Sequence, residues 1–167
     1  MIRIGQGIDV HAFTNTGEIE QFVTLGGIKI PHTHSLLAHS DGDVVLHALC
    51  DALLGALALG DIGQFFPDTD EQYKGIDSKI LLKEVYKVIN DKGYQLVNAD
   101  ITIMAERPKI LPHRETIQQS IAKVMDCQTE QISVKATTTE KLGFTGRQEG
   151  ITASCVVLIA KNNQISV

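Results

Sequence analysis

The stretch GQGIDVHAF, Gly5 to Phe13, decides how the chain begins. It reads as a first strand, with Asp9 and His11 two residues apart. In an extended strand, side chains two apart point to the same face. A carboxylate and an imidazole therefore stand side by side, and Ile8 and Val10 are predicted to turn the other way, into a core. One carboxylate and one imidazole are half of a metal site, or half of an acid–base pair. The other half must come from elsewhere in the chain.

Working outward, VTLGGIKIP (23–31) reads as a second strand or as a hairpin around Gly26-Gly27. HTHSLLAHSDGD (32–43) is a loop rich in His, Ser and Asp. A helix is predicted from about Asp43 to Leu59, ended by Gly60. A second loop runs over 60–77. Ser78 is predicted to cap the helix SKILLKEVYKVINDKG (78–93), whose apolar residues recur at three and four. QLVNADITIMAE (95–106) is a strand, HRETIQQSIAKVM (113–125) a helix and ISVKATTT (132–139) a strand. EKLGFTGRQEG (140–150) is a glycine-rich loop, and ITASCVVLIA (151–160) the last strand. The strand–helix–strand run from Ala99 to Ala136 predicts one crossover unit. The first and last strands could join that sheet in either direction. The fold class is α/β (α+β): a mixed sheet with helices on one face. No linker divides the 167 residues, so one domain over 1–167 is expected.

Hydrophobic residues make up 43% of the chain, enough for an ordinary core, and the net charge is −5. An acidic chain without a basic run is a poor nucleic-acid binder. A bound metal could still reverse the local field for a phosphorylated small molecule. Cys50, Cys127 and Cys155 lie far apart in apolar runs, which predicts buried, reduced thiols. MIRIGQGIDV lacks the apolar core of a signal peptide, and ALLGALALG is too short to span a bilayer. A soluble, cytoplasmic protein without a membrane partner is expected.

His47 is the best partner for Asp9 and His11. On its helix Asp43, His47 and Asp51 fall at i, i+4 and i+8, one polar stripe on an apolar element. A metal explains the stripe: His47 would bind through one ring nitrogen while an Asp one turn away orients the other. Asp9, His11 and His47 make a two-His, one-carboxylate set, the three-ligand pattern of catalytic zinc. A hydrogen-bonded histidine without a metal is the plainer alternative. A rival set, His32, His34 and His39, lies in a loop with no regular element to fix it.

KATTTEKLGFTGRQEG (135–150) carries a second signal. Hydroxyls and free N–H groups at a strand end can hold phosphate oxygens, and Glu140 could hold a hard ion such as Mg²⁺. Lys135, Lys141 and Arg147 supply positive charge nearby. A threonine-rich strand with a glycine-rich turn is the plain alternative, and no GxxxxGK[ST] loop is present. In MAERPKILPH (104–113) two prolines stiffen a loop that could meet a base edge.

Together GQGIDVHAF, LLAHSDGDVVLHALCDALLGALALGDIGQFFPDTD, RPKILPH and KATTTEKLGFTGRQEGI resemble the 2-C-methyl-D-erythritol 2,4-cyclodiphosphate synthase family over nearly the whole chain. The resemblance implies a phosphorus–oxygen lyase of the non-mevalonate isoprenoid route. It would convert 4-diphosphocytidyl-2-C-methyl-D-erythritol 2-phosphate to the cyclodiphosphate and release CMP. It implies a homotrimer with active sites between subunits, zinc on Asp9, His11 and His47, and Mg²⁺ or Mn²⁺ on Glu140. It implies a cytosine pocket from Ala105 to Leu111, with Lys109 and Ile110. Thr137, Thr138 and Thr139 fall at the phosphate and nucleotide end, Thr138 in a catalytic role, with Phe144 and Arg147 beside the substrate. His39, also catalytic, would handle the methylerythritol phosphate with Ser40, Asp61, Gly63, Phe66 and Asp68. A central channel of the trimer could take an isoprenoid diphosphate. Gln6 and Ile8 depart from the family's usual His and aromatic there, and put that ligand in doubt. Arg107, Cys50 and the segment 14–23 also depart from the usual pattern. A zinc hydrolase with the same ligands, or a non-catalytic binder of nucleotides or isoprenoid diphosphates, are the alternatives.

Overall fold

The computed structural model describes residues 1–14, 22–67 and 75–162. Asp68 and most of the divergent segment 14–23 lie outside the described residues. Four strands form the main sheet: β1 (Ile2–Ala12), β4 (Tyr94–Met104), β5 (Ile132–Thr137) and β6 (Gly150–Lys161), in the order β1-β6-β4-β5. The crossover β4–β5 is parallel, as predicted, and β6 runs antiparallel to both β1 and β4. Strands β1, β4 and β5 therefore finish at the same end of the sheet, where β6 begins. Every stretch singled out for chemistry on a strand lies at that end.

A small hairpin, β2 (Phe22–Leu25) and β3 (Ile28–Pro31), turns at Gly26 and Gly27. Their φ values of 61° and 77° are the left-handed pair that a two-residue hairpin turn requires. Helix α1 (Val44–Ala56) is shorter than predicted, because Asp43 caps it and the chain leaves the helix at Leu57. It is buried nearly all round, lying against β1 and β6 on one side and α3 (Ser78–Asp91) on the other. Helix α4 (Arg114–Met125) covers β5. Among the described residues the loops predicted at 60–77 and 140–150 each carry a short helical turn, α2 (Ile62–Phe65) and α5 (Gly143–Gly146). Cys50 and Cys155 are buried free thiols and Cys127 is half-buried. Among the described residues no helix is long and apolar enough to cross a membrane.

The side of β1 that faces the core is the reverse of the one predicted. Gly5 and Gly7 are buried, while Ile4, Ile8 and Val10 are 71%, 55% and 45% exposed. Glycine explains the inversion. A Cβ on Gly5 would collide with the carbonyl oxygen of Ala52, and one on Gly7 with that of Ala48. Strand and helix backbones meet directly there, which only glycine allows. The apolar residues of β1 are left on the far face of the sheet.

Candidate metal centre

The same close approach builds the site. With Gly5 and Gly7 against Ala52 and Ala48, the next residues on that face, Asp9 and His11, reach the first turns of α1, where His47 lies. Asp9 Oδ2 is 3.0 Å from His11 Nε2 and 3.0 Å from His47 Nδ1, and the two nitrogens are 3.4 Å apart. Among the described residues this is the one group of His, Cys, Asp and Glu gathered closely enough to hold a metal ion. Tetrahedral zinc at 2.0–2.1 Å from each donor needs donors about 3.3 Å apart. The observed triangle matches that edge length within a few tenths of an ångström.

The outer nitrogens of both rings are engaged. His11 Nδ1 donates to the carbonyl oxygen of Leu37 at 2.9 Å, which leaves Nε2 with its lone pair toward the triangle. His47 Nε2 meets Ser78 Oγ at 2.9 Å and Ser40 Oγ at 3.2 Å, so Nδ1 faces inward. Burial acts to raise the Asp9 pKa, but its close polar contacts with the His11 and His47 rings outweigh it and hold the carboxyl well below the usual range. Burial acts to lower the pKa of His11, and its bond to Asp9 wins, so it rises. Three donors, two of fixed tautomer and one a carboxylate, fit a divalent ion with a position left open.

The polar stripe on α1 has a different cause from the one predicted. Asp43 does not orient His47. Its carboxylate accepts from the N–H groups of Gly26, Gly27, Val45 and Leu46, tying the hairpin turn to the start of α1. Burial pushes its pKa up to about 6 against those bonds. Asp51 accepts from Ile62 N at 2.7 Å and anchors α2. Asp77, not Ser78, caps α3. The rival histidines divide: His32 and His34 stack around Phe13, with ring centroids 4.7 and 5.9 Å from it, and His39 is exposed.

Ser40 is beside His47, and Asp61 caps α2 through Gln64 N. Gly63 is exposed in α2, and Phe66 at its end packs against the core. Ala105 and Ile110 are buried and shape the loop from inside, while Lys109 and Leu111 are exposed. Thr137 and Glu140 are exposed, and Thr138 Oγ1 donates to Glu140 Oε1 at 3.0 Å. Thr139 Oγ1 contacts Leu142 O and Thr145 Oγ1 and pins the turn. Glu140 and Lys141 sit in succession at φ 54° and 64°, a left-handed pair uncommon outside glycine. Lys135 turns away from this loop and pairs with Asp100 at 2.6 Å. Arg147 makes a two-pronged bond to Glu149, both exposed, and Phe144 is partly exposed beside them.

The sequence matches the YgbB family over residues 2–160. The chain belongs to this family. A relative named 2-C-methyl-D-erythritol 2,4-cyclodiphosphate synthase, from Acinetobacter baumannii, is 67% identical over 159 residues, covering 95% of this chain and 97% of its own. Two solved structures of the family share the fold. The bifunctional IspDF of Campylobacter jejuni aligns with a TM-score of 0.90 at 44% identity, covering 96% of this chain, which spans 42% of that longer protein. IspF of Plasmodium falciparum, solved with CDP, aligns at 0.83 and 39% identity over 96% of each chain.

Proposed function

We propose that the chain converts 4-diphosphocytidyl-2-C-methyl-D-erythritol 2-phosphate to 2-C-methyl-D-erythritol 2,4-cyclodiphosphate, releasing CMP, as a cytoplasmic enzyme of the non-mevalonate isoprenoid route. The Asp9–His11–His47 triangle carries the reading, in a family whose relatives bear that synthase name.

The substrate brings its own nucleophile and leaving group. An oxygen of the 2-phosphate bonds to the β-phosphorus, the bond from that phosphorus to the bridging oxygen breaks, and CMP leaves with that oxygen. No covalent enzyme intermediate is needed. The chain must fold the substrate so that attacking and departing oxygens lie in line, and positioning of this kind can supply about 7 kcal/mol or more. Asp9, His11 and His47 would hold a zinc ion, which would supply Lewis-acid chemistry to a phosphate oxygen. Glu140, steadied by Thr138, would hold Mg²⁺ or Mn²⁺ at the diphosphate. The loop 105–111 would take the cytosine, with Lys109 outside and Ile110 behind. His39, Ser40, Asp61, Gly63 and Phe66 would take the methylerythritol phosphate.

The two halves of this site stand on opposite edges of the sheet. Three strand spacings, about 14 Å, separate the end of β1 from the end of β5. A neighbouring copy of the chain would close that gap, which supports a homotrimer with interfacial sites. The exposed face of β1 and β6, with Ile4, Ile8, Val10 and Val156, offers the apolar surface for it. Sedimentation should give three times the mass of one chain.

The decisive experiment incubates the protein and substrate with Zn²⁺ and Mg²⁺ and resolves the products by ³¹P NMR. Cyclic diphosphate and CMP in equal amounts are expected. Linear phosphates would make the protein a hydrolase instead.

A further inference from the structure

We infer that Asp41 and Ser78 form a relay that sets the tautomer and aim of His47, and so act as positioning residues of the metal centre. The inference rests on reading Asp9, His11 and His47 as ligands. Asp41 lies at the N-terminus of the fourteen-residue helix α3, where its Oδ2 accepts from Ser78 N at 3.1 Å. A helix start favours a negative group at this position. Asp41 Oδ1 accepts from Ser78 Oγ at 2.5 Å. That bond uses the only hydroxyl hydrogen Ser78 has. Toward His47 Nε2, 2.9 Å away, Ser78 can then only accept. His47 must carry its proton on Nε2, and Nδ1 is left with a lone pair 3.0 Å from Asp9 Oδ2.

The direction of every bond follows from the first. Helix α3 fixes Asp41, Asp41 fixes the hydroxyl, and the hydroxyl fixes the ring. Ser78 is fully buried, so water does not compete for it. The relay is also tied into the neighbouring backbone, where Asp41 N donates to Ile76 O and Gly75 N to His39 O. Ser40 Oγ, farther away at 3.2 Å, already accepts from Gly42 N and is the weaker partner. Outer partners of metal-bound histidines typically contribute 10–100-fold in metal affinity.

The test uses the full chain, stripped of metal and titrated with Zn²⁺ against a chromophoric chelator, with the visible spectrum of the Co²⁺ form as second readout. Ser78→Ala should weaken Zn²⁺ binding by about 10–100-fold and alter the Co²⁺ spectrum. Asp41→Asn should shift both in the same direction by less, and Ser78→Thr should restore them. A loss of packing alone would not be rescued by the hydroxyl of threonine, nor reproduced by the isosteric change at Asp41. Should Ser78→Ala fail to fold, Asp41→Asn decides. Wild-type affinity and spectrum in the variants would overturn the relay while leaving the centre intact. Equal Zn²⁺ binding by wild type and His47→Ala would overturn the ligand reading, and the relay with it.

Discussion

The metal corner and the threonine–glutamate turn lie at the same end of the sheet but are built differently. In the corner backbone packing sets the place of all three donors, and each of the two histidines is fixed a second time by an outer partner. Gly5 and Gly7 set the distance between strand and helix, Leu37 holds His11, and Ser78 holds His47. The turn is strained and mostly exposed. Thr139, Thr145 and the left-handed pair Glu140–Lys141 fix its backbone, but among the described residues the Glu140 carboxylate has only the Thr138 hydroxyl as a side-chain partner. The corner is complete in one chain. The turn is a fixed frame with an open hand, suited to a group that arrives with the substrate.

The largest expected effect breaks the corner at its chemistry. His47→Ala removes one of three donors. It should abolish stoichiometric zinc and lower kcat/KM by about 1,000-fold or more, the scale of several kcal/mol of charge stabilisation. Metal analysis and turnover on the same sample check it. Next comes the packing beneath. Gly7→Ala would place a methyl group inside the Ala48 carbonyl, so β1 must lift from α1. The folded state should lose about 3 kcal/mol, read by urea unfolding, and zinc affinity should fall with it. Unchanged zinc affinity in a destabilised Gly7→Ala would separate the corner from its foundation.

The legible part of the site was the part written in short periods. Asp9 and His11 share a face because strands repeat every two residues, and His47 stood out as a polar residue on an apolar helix. The period says which residues share a face, not which face is buried. Ile8 and Val10 therefore pointed to the wrong side, although Gly5 and Gly7 carried the signal: a face of alternate glycines invites a backbone. Asp43 and Asp51 looked like partners of His47 by helical spacing. Their carboxylates instead took N–H groups from Gly26, Gly27 and Ile62, which are far from that helix in the chain or in a loop after it. Ser78 was hidden for a related reason. Asp77 and Ser78 are both cap formers, and only the fold shows that Asp77 caps while Ser78 turns to Asp41 and His47. The crossover β4–α4–β5 was legible because its periods change cleanly, whereas the direction of β1 and β6 depends on contacts that no local pattern encodes.

A middle-sized effect should separate turn from corner. Glu140→Gln keeps the shape and the Thr138 contact but removes the charge. We expect kcat to fall by about 10–100-fold, with zinc content and unfolding midpoint unchanged, because an exposed carboxylate contributes little to stability. Raising Mg²⁺ should recover part of the rate. If zinc were lost as well, the two regions would be coupled, and the division between a finished corner and an open turn would fail.

The smallest effect concerns protons. His11 has its pKa raised chiefly by the bond to Asp9 working against burial, while the Asp9 carboxyl is held low. In the metal-free protein the His11–Asp9 attraction is therefore fully present below the ordinary histidine pKa. It is lost as pH rises through the raised one. Metal binding requires His11 Nε2 unprotonated, so below that raised pKa each ion bound must displace the His11 proton. Asp9, already ionised, releases none. Zinc affinity should rise by about tenfold per pH unit from this proton alone and then level off above the His11 pKa. Calorimetry in two buffers of different ionisation enthalpy, across about pH 5 to 8, reads the proton directly. A flat profile would mean that Nε2 of His11 is not a ligand, and the corner would then be a hydrogen-bonded triad rather than a metal centre.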